Sequence, residues 1–290
     1  MSVIYNTQYV DEVYSDSIEP NLYYDSILIP EVTYTEKYKE KSGGIFIHKL
    51  TSAGFVAPTT PASDFSHTQR ADTLIQVVFN NNFKKSGKIF GVSAAAVGFN
   101  KAEEELAETL KEISEGWQLS GLACLMNEGT DAADTTALTT TNIKAKFIGL
   151  RKTLKLAKAK PNFSFANPTV YATILEYAGD DFTPTNNDRI VGDGNVGRWF
   201  GVNTFEANAL AETVVTYYNY AGSLITLNLS YIDIIMGDYR AFSVINNFEA
   251  FRIIDAIDWA GSAAQVEWNT AYRVTNSDRI LVKYNATPSA

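Results

Sequence analysis

The sequence predicts an α+β fold in which one long helix precedes a half built mainly of strands. Residues 100–129 carry apolar or small residues spaced by three and four, which is the period of an amphipathic helix. From Asp188 onward, short runs of β-branched and aromatic residues alternate with turns. Helices and strands that occupy different parts of a chain are typical of the α+β class.

The long helix of residues 100–128 has recognisable ends. Asn100 is a predicted N-cap, acidic residues fill the first turn, and Gly129 follows the last periodic residue. The predicted inward stripe consists of Ala102, Leu106, Leu110, Ile113, Trp117, Ser120 and Cys124. A helix of twenty-odd residues spans roughly 35–40 Å, so it can act as a spine on which other elements lie.

Composition limits the classes of protein to which the chain can belong. The 290 residues, 46% of them apolar, suffice for one large domain or two with a sizeable core. We expect no membrane span and no signal peptide, because the sequence has neither a run of roughly eighteen apolar residues nor a basic and apolar N-terminus. The single cysteine, Cys124, excludes an intramolecular disulfide framework and fits a reducing compartment.

The charges are segregated along the chain. The net charge of −9 argues against a protein whose main role is to grip nucleic acid. Residues 1–36 contain no Lys, Arg or His and hold Asp11, Glu12, Asp16, Glu19, Asp25, Glu31 and Glu36. Residues 144–160 contain no acid and hold Lys144, Lys146, Arg151, Lys152, Lys155, Lys158 and Lys160. The basic segment is interpreted either as a solvated face or as a contact for an acidic partner, which is packaged nucleic acid or the acidic segment of another subunit.

Residues 1–36 are predicted to form an arm and residues 37–90 an extended hairpin. The arm is too apolar for a disordered tail and too interrupted by proline for a domain, so we expect it to order against another surface. Strands are predicted at Ile45–Leu50 and Thr73–Phe79, joined by a connection longer than compact domains usually contain. Two such strands cannot bury a core of their own, so the hairpin needs a neighbour.

Two further helices and a series of strands follow. The polar residues before Asn142 predict a mobile loop, and Asn142–Lys158 a second amphipathic helix. Its predicted buried residues are Ile143, Phe147, Leu150 and Leu154. Asn167 and Pro168 introduce a third helix, Thr169–Tyr177, with proline in the favoured first turn. The predicted strands are 189–191, 199–202, 214–218, 224–229, 231–236, 242–245, 251–257, 265–268 and 279–284.

Catalytic and cofactor sites are not expected. The only histidines, His48 and His67, have no cysteine or second histidine at ligand spacing, which disfavours zinc sites and histidine-activated nucleophiles. The carboxylates lie on predicted solvent faces and give no acid–base pair. Gly192–Gly197 spells G-x-G-x-x-G, but a dinucleotide site needs a buried strand before it and a helix after it, and here strand-like residues follow. We therefore expect no catalytic residue, metal or cofactor.

The order of these elements and three local segments resemble the major capsid proteins of tailed bacteriophages, which have the Hong Kong 97-type fold. Ala166–Tyr171 with Ile174–Leu175 is similar to the start of a helix in the family's axial domain. Phe200–Leu210 is similar to a glycine-led strand and its closing turn, with Asn203 in place of a frequent proline. Phe251–Gly261 is similar to the segment that returns the chain to the peripheral domain. The resemblance covers nearly the whole chain through diffuse patterns, without an invariant motif.

The resemblance implies a domain organisation and a function. The expected parts are an N-terminal arm (1–36), an extended loop (37–90), a peripheral domain (91–160 and 247–290) with its spine helix (100–128), and an axial domain (161–246). The implied function is a non-enzymatic major capsid protein that self-assembles through hexamers and pentamers into an icosahedral shell around double-stranded DNA. Expected partners are copies of itself, separate scaffolding and portal proteins, decoration proteins, and packaged DNA held non-specifically, with no membrane. The expected location is the virion, after assembly in the host cytoplasm.

Candidate contacts between subunits come from the two charged segments and the basic hinge between arm and hairpin. They are Asp11, Glu12, Asp16, Glu19, Lys37, Lys39, Lys41, Arg151, Lys152, Lys155 and Lys158. Some family members crosslink a lysine of the extended loop to a neighbour's asparagine, but no residue pattern identifies such a pair here. The alternatives are an encapsulin-type compartment of the same fold, a soluble α+β enzyme with a carboxylate-based site, and a tail or connector protein.

Overall fold

A computed structural model describes residues 45–50, 72–90, 101–181, 197–255 and 261–286. Its helices are α1 (Lys101–Glu128), α2 (Ile143–Leu156) and α3 (Pro168–Asp181). Its strands are β1 (Ile45–Leu50), β2 (Asp72–Val77), β3 (Asn81–Phe90), β4 (Thr130–Asp131), β5 (Phe163–Ala166), β6 (Arg198–Trp199), β7 (Val202–Glu206), β8 (Val215–Tyr218), β9 (Leu224–Leu227), β10 (Ile232–Gly237), β11 (Phe242–Asp255), β12 (Gly261–Val274) and β13 (Ile280–Tyr284). This mixture confirms the predicted α+β class.

A long antiparallel sheet, in the order β11-β12-β3, carries helix α1 on one face. Ile113 of α1 is buried against Val266 and Trp268 of β12. Trp117 stacks on Trp268 with ring centroids 5.9 Å apart, and the Tyr272 hydroxyl donates to the Trp117 carbonyl at 2.8 Å. Apolar burial and these aromatic contacts therefore fix the helix on the sheet.

The two strands of the predicted hairpin are present. β1 and β2 pair antiparallel, with Ile45 opposite Val77. Val77 packs with Ile245 and Ala271 on the face of the long sheet that points away from α1. The predicted long tip falls on residues 51–71, which lie outside the described part of the chain.

A six-stranded sheet, in the order β4-β13-β10-β5-β7-β6, lies on the other side of α1. Its central strands are buried on both faces, because side chains alternate across a strand and both sheet faces are covered. Ile235 of β10 packs in the cluster that contains Leu122 of α1. Ile234 and Met236 pack in the cluster that contains Phe147 of α2. The layers are therefore the hairpin, the long sheet, α1, the six-stranded sheet, and finally α2 with α3.

This layering crosses the boundary expected between residues 160 and 161. Strands β4 and β13 from the expected peripheral part join one sheet with β5, β6, β7 and β10 from the expected axial part. Helix α2 shares a buried cluster with α3 rather than with α1. Residues after α1 contribute to both layers, because β11 and β12 return to the long sheet while β13 joins the six-stranded sheet. The expected domain bounds remain a prediction.

Helix α1 confirms the predicted long helix, and a stretch in its second half is buried on all sides. Of the predicted stripe, Ile113, Trp117, Ser120 and Cys124 are buried and Leu110 is half-buried. Residues 100, 102 and 106 lie where no side chain is described. Every residue from Ser120 to Met126 is buried, because the helix lies between two sheets. Gly129 follows at a point where a Cβ would lie 2.5 Å from the Leu125 carbonyl oxygen, so only glycine fits.

Strand β3 was not predicted, and β11 was predicted as two separate strands. Residues Asn81–Phe90 carry asparagines and lysines instead of alternating apolar residues, so pairing with β12 rather than local propensity makes them a strand. In β11, the polar residues Asn246 and Asn247 conceal the continuity of the strand, which also bulges between Phe248 and Ala250. In both cases, pairing with strand β12 decides the structure, and the local sequence pattern does not.

The predicted strand 199–202 is instead the turn of a small hairpin. Phe200 and Gly201 have φ values of 45° and 82° and join β6 to β7. Two consecutive residues with positive φ are the signature of a tight hairpin turn. The other predicted strands are present with shifted ends, except 189–191, which lies outside the described residues.

Candidate functional site on helix α2

Helix α2 is amphipathic as predicted, with one face in the core and one outside. Its four predicted inward residues, Ile143, Phe147, Leu150 and Leu154, are all buried. Lys144, Lys152 and Lys155 on the helix are exposed, as is Lys158 just after it. Lys158 adopts a left-handed conformation with φ 59°, and the amide of Ala159 donates to the Leu154 carbonyl at 2.9 Å, which closes the helix end.

The outer face of α2 alternates basic and aliphatic side chains. Lys144, Ile148, Lys152 and Leu156 are spaced by four and therefore lie along one line of the helix. We call these four residues the α2 ridge. Ile148 is 41% exposed and Leu156 is 75% exposed, which is unusual for a well-packed helix. Only the lysines of this ridge were predicted to matter, although the spacing of four is present in the sequence.

A shallow groove of about 410 Å³ runs beside the ridge. We call it the α2 groove. Its lining residues are Ala132, Asp134, Ala145, Lys146, Gly149, Leu150, Lys152, Thr153, Leu156 and Leu281. The floor is low because Ala145 and Gly149 are small, and a Cβ on Gly149 would meet no atom within 4 Å. The groove therefore offers apolar contact next to positive charge.

Most of the positive charge on this face is uncompensated within the described residues. Lys146 pairs with Asp134 at 2.8 Å across the groove wall. The hydrogen bond from Lys146, together with those from Thr136, holds the pKa of the Asp134 carboxyl well below its usual range. Lys152 and Lys155 make no ion pair in the described part of the chain. The face is thus a cationic surface with one internal salt bridge at its side.

The segment before α2, which was predicted to be a mobile loop, is fastened to the body at several points. The side chain of Asp131 accepts from the amide of Ala133 at 2.8 Å, and Asn142 accepts from the amide of Thr139 at 2.9 Å. Nζ of Lys283 donates to the Thr136 carbonyl at 2.8 Å. The segment therefore has a defined conformation, and its residues Ala132 and Asp134 form one wall of the α2 groove.

A buried ion pair lies beneath this wall. Lys283 of β13 is completely buried, and its Nζ donates to Oδ2 of Asp233 in β10 at 2.8 Å. Sequence reasoning missed this pair because its two members lie far apart in the chain. A buried pair of this kind is strongly destabilised when one partner is removed, since the other charge stays buried alone.

A second buried polar cluster lies at the end of α1, away from α2. The Glu128 carboxylate accepts from the amide of Val274 and from Nη1 of Arg273, both at 2.9 Å. The Arg273 guanidinium also lies 3.6 Å from the ring centroid of Tyr220. Burial raises the pKa of Glu128 despite these partners, and burial likewise raises the pKa of the neighbouring Cys124 thiol. The cluster joins the end of α1 to the end of β12.

Of the predicted contact residues, the structure describes only the four on or beside helix α2. Lys152, Lys155 and Lys158 share the outer side of α2, and Arg151 is half-buried beside Gly201. The acidic candidates Asp11, Glu12, Asp16 and Glu19, and the hinge candidates Lys37, Lys39 and Lys41, lie outside the described residues. Their contacts with α2 therefore remain a prediction.

The described residues contain no group of three or more His, Cys, Asp or Glu side chains placed to hold a metal ion. Within the same residues, no helix is long and apolar enough to cross a membrane. Only Gly197 of the G-x-G-x-x-G segment is described, and strand β6 follows it instead of the helix that a dinucleotide site requires.

The fold matches solved capsid structures over most of the chain. A cyanophage P-SCSP1u capsid structure aligns with a TM-score of 0.67 at 10% identity, covering 89% of this chain and 87% of that chain. The mature capsid of bacteriophage PhiM1 aligns with a TM-score of 0.60 at 12% identity, covering 90% and 87%. The capsid of an empty GTA particle, computed with C5 symmetry, aligns with a TM-score of 0.61 at 8% identity, covering 89% of each chain.

Sequence comparison gives no such match. No protein-family model matches the chain, and no curated protein is similar to it in sequence. The predicted resemblance is therefore confirmed at the level of the fold, which this chain shares with phage capsid structures.

Proposed function

We propose that this chain is a major capsid protein that self-assembles through hexamers and pentamers into an icosahedral shell around double-stranded DNA. The observation that carries the proposal is the length of the structural match, which spans nine-tenths of the chain and a similar share of capsid chains. An arm and a hairpin that cannot bury themselves also fit a protein whose stability is completed by its neighbours.

The proposed role is structural and non-enzymatic. The packing suggests an assignment in which the long sheet, α1 and the hairpin form the peripheral part, and the six-stranded sheet with α2 and α3 forms the axial part. Closed rings of identical subunits would then surround each symmetry axis. Separate scaffolding and portal proteins, decoration proteins and non-specifically held DNA are the proposed further partners, with assembly in the host cytoplasm and the virion as the final location.

Assembly of the chain expressed alone in bacteria tests the proposal. We expect closed shells, or rings of five and six subunits, in negative-stain electron microscopy and in light scattering after size exclusion. Nuclease treatment followed by extraction of the contents separates a DNA shell from an encapsulin-type compartment, which would hold protein cargo. A chain that stays monomeric at high concentration, with a melting temperature independent of concentration, would contradict the proposal and favour a soluble enzyme.

A further inference from the structure

We infer that the α2 ridge and the α2 groove are the docking site for the acidic segment 1–36 of a neighbouring copy. This inference rests on the proposed shell, because the shell supplies the neighbouring copy. It assigns one occupant to an outer surface that combines exposed aliphatic side chains with Lys152 and Lys155, which make no ion pair in the described part of the chain.

Charge is the first argument. Segment 1–36 holds seven acidic residues and no basic residue, and residues 144–160 hold seven basic residues and no acidic residue. The ridge and its flank leave Lys152 and Lys155 without an ion pair among the described residues. Opposite charges on two surfaces steer their encounter and fix their register.

The aliphatic residues are the second argument, and they favour a polypeptide over nucleic acid. A surface that tracks phosphates needs lysines and arginines, whereas Leu156 at 75% exposure and Ile148 at 41% gain nothing from a phosphate backbone. Segment 1–36 places Val13, Tyr14 and Ile18 among its acids. A segment that mixes acidic and apolar side chains matches a ridge that alternates basic and aliphatic ones.

The layering favours a neighbour's segment. Strand β1, which follows the segment in sequence, lies on the outer face of the long sheet, as its contact with the Val77 cluster shows. Helix α2 lies on the opposite outer face, beyond α1 and the six-stranded sheet. A copy's own ridge therefore lies on the opposite side of the described layers from Ile45, the first described residue after the segment.

A charge exchange tests the pairing. Lys152→Glu, Lys155→Glu and Lys158→Glu together are expected to lower the yield of shells at least tenfold while circular dichroism stays that of a folded chain. Adding Glu12→Lys, Asp16→Lys and Glu19→Lys restores the wild-type net charge and is expected to restore assembly. Normal shells from the first variant overturn the docking inference. Shells that form normally but lose their DNA also overturn it, because the lysines would then contact nucleic acid and not the acidic segment. Failure of the second set to restore assembly also counts against it.

The groove gives a test with a matched control at one position. Gly149→Phe is expected to fill the groove and reduce shell yield, because a side chain at Gly149 points into open space and leaves the fold intact. Gly149→Ala changes the same backbone position without filling the groove and should assemble normally. Equal assembly of the two variants would overturn the role of the groove.

Disulfide trapping distinguishes failure of the docking from failure of the proposed function. In a chain with Lys152→Cys and Asp16→Cys, mild oxidation is expected to give a ladder of linked multimers on a non-reducing gel. The native Cys124 is fully buried and stays out of the reaction. Lys111→Cys with Asp16→Cys, which uses an exposed position on α1, is the control and should give no ladder.

Each gel result has one meaning. Shells without a ladder overturn the docking while the proposed function stands, and a linked monomer overturns the assignment to a neighbour. If the wild-type chain forms no shells or rings, the proposed function fails on its own test.

Discussion

Helices α1 and α2 follow the same amphipathic period, yet the C-terminal parts of the two helices lie in different surroundings. Residues Leu122 to Leu125 of α1 are completely buried, whereas Leu156 at the end of α2 is 75% exposed. The reason is the layering, because α1 lies between two sheets and α2 has a sheet on one side only. A periodic pattern thus identifies a helix and its inner face, but it does not reveal whether a second layer covers the outer face.

The comparison extends to how each helix ends. Helix α1 ends where Gly129 is needed for close packing against Val282 and the Leu125 carbonyl. Helix α2 ends at Leu156, and Lys158 two residues later adopts the left-handed conformation that glycine adopts at lower cost. The C-terminal end of α1 therefore packs in the core, whereas the C-terminal end of α2 keeps a charged side chain at the surface.

Truncation of apolar side chains should show the largest difference between the helices. Leu122→Ala on α1 is expected to lower the free energy of unfolding by about 2–5 kcal/mol, because it empties a buried site. Ile148→Ala on α2 is expected to change it by less than about 0.5 kcal/mol, as for other exposed positions. Urea denaturation of the dissociated chain measures both. A large loss from Ile148→Ala would show that its outer face is covered within one chain.

Gly129→Ala should have the next largest effect. The added methyl group would lie 2.5 Å from the Leu125 carbonyl oxygen and 2.9 Å from a methyl of Val282, so the backbone must shift. Overpacking of this kind costs about 1–3 kcal/mol. Gly149→Ala on α2 is the control and should raise stability slightly, since its site is open and alanine favours a helix. Thermal unfolding of the two variants, compared with the wild type, gives the difference.

The pH dependence of Glu128 should give the smallest signal. Because burial raises the pKa of this carboxyl, the folded state binds a proton at a higher pH than the unfolded state, whose value is near 4.5. Its contribution to stability therefore improves as pH falls from 7 towards 4.5. We expect the wild type to gain stability relative to Glu128→Gln over that interval.

Unfolding curves at pH 7 and pH 5 measure the effect of Glu128. The lowered pKa of Asp134 acts in the opposite direction, but its contribution is lost only below about 3.8. A Glu128→Gln difference that stays constant between pH 7 and pH 5 would contradict a buried, protonating Glu128.

The sequence was sufficient for elements whose pattern is local. The period of α1, the four inward residues of α2 and the proline at the start of α3 all predicted what the structure contains. It was not sufficient where long-range pairing decides the outcome. Strand β3 is held by β12, which lies far along the chain, and its own residues read as polar. Of the α2 ridge, only the lysines were predicted, because the exposure of Ile148 and Leu156 follows from the position of α2 on the outside.

The bulge in strand β10 has a consequence for how the six-stranded sheet closes. Ile232 is opposite Tyr284 and Ile234 is opposite Lys283, so Asp233 is the extra residue and its carboxylate meets the Lys283 ammonium. A slip of one residue would turn Lys283 towards the apolar α1 side and leave two opposite charges apart in a dry layer. The Asp233–Lys283 pair therefore disfavours a sheet paired with a one-residue shift more than it stabilises the sheet in its correct register. In the proposed shell of many copies, each copy would thus reach the correct sheet register before it packs against its neighbours.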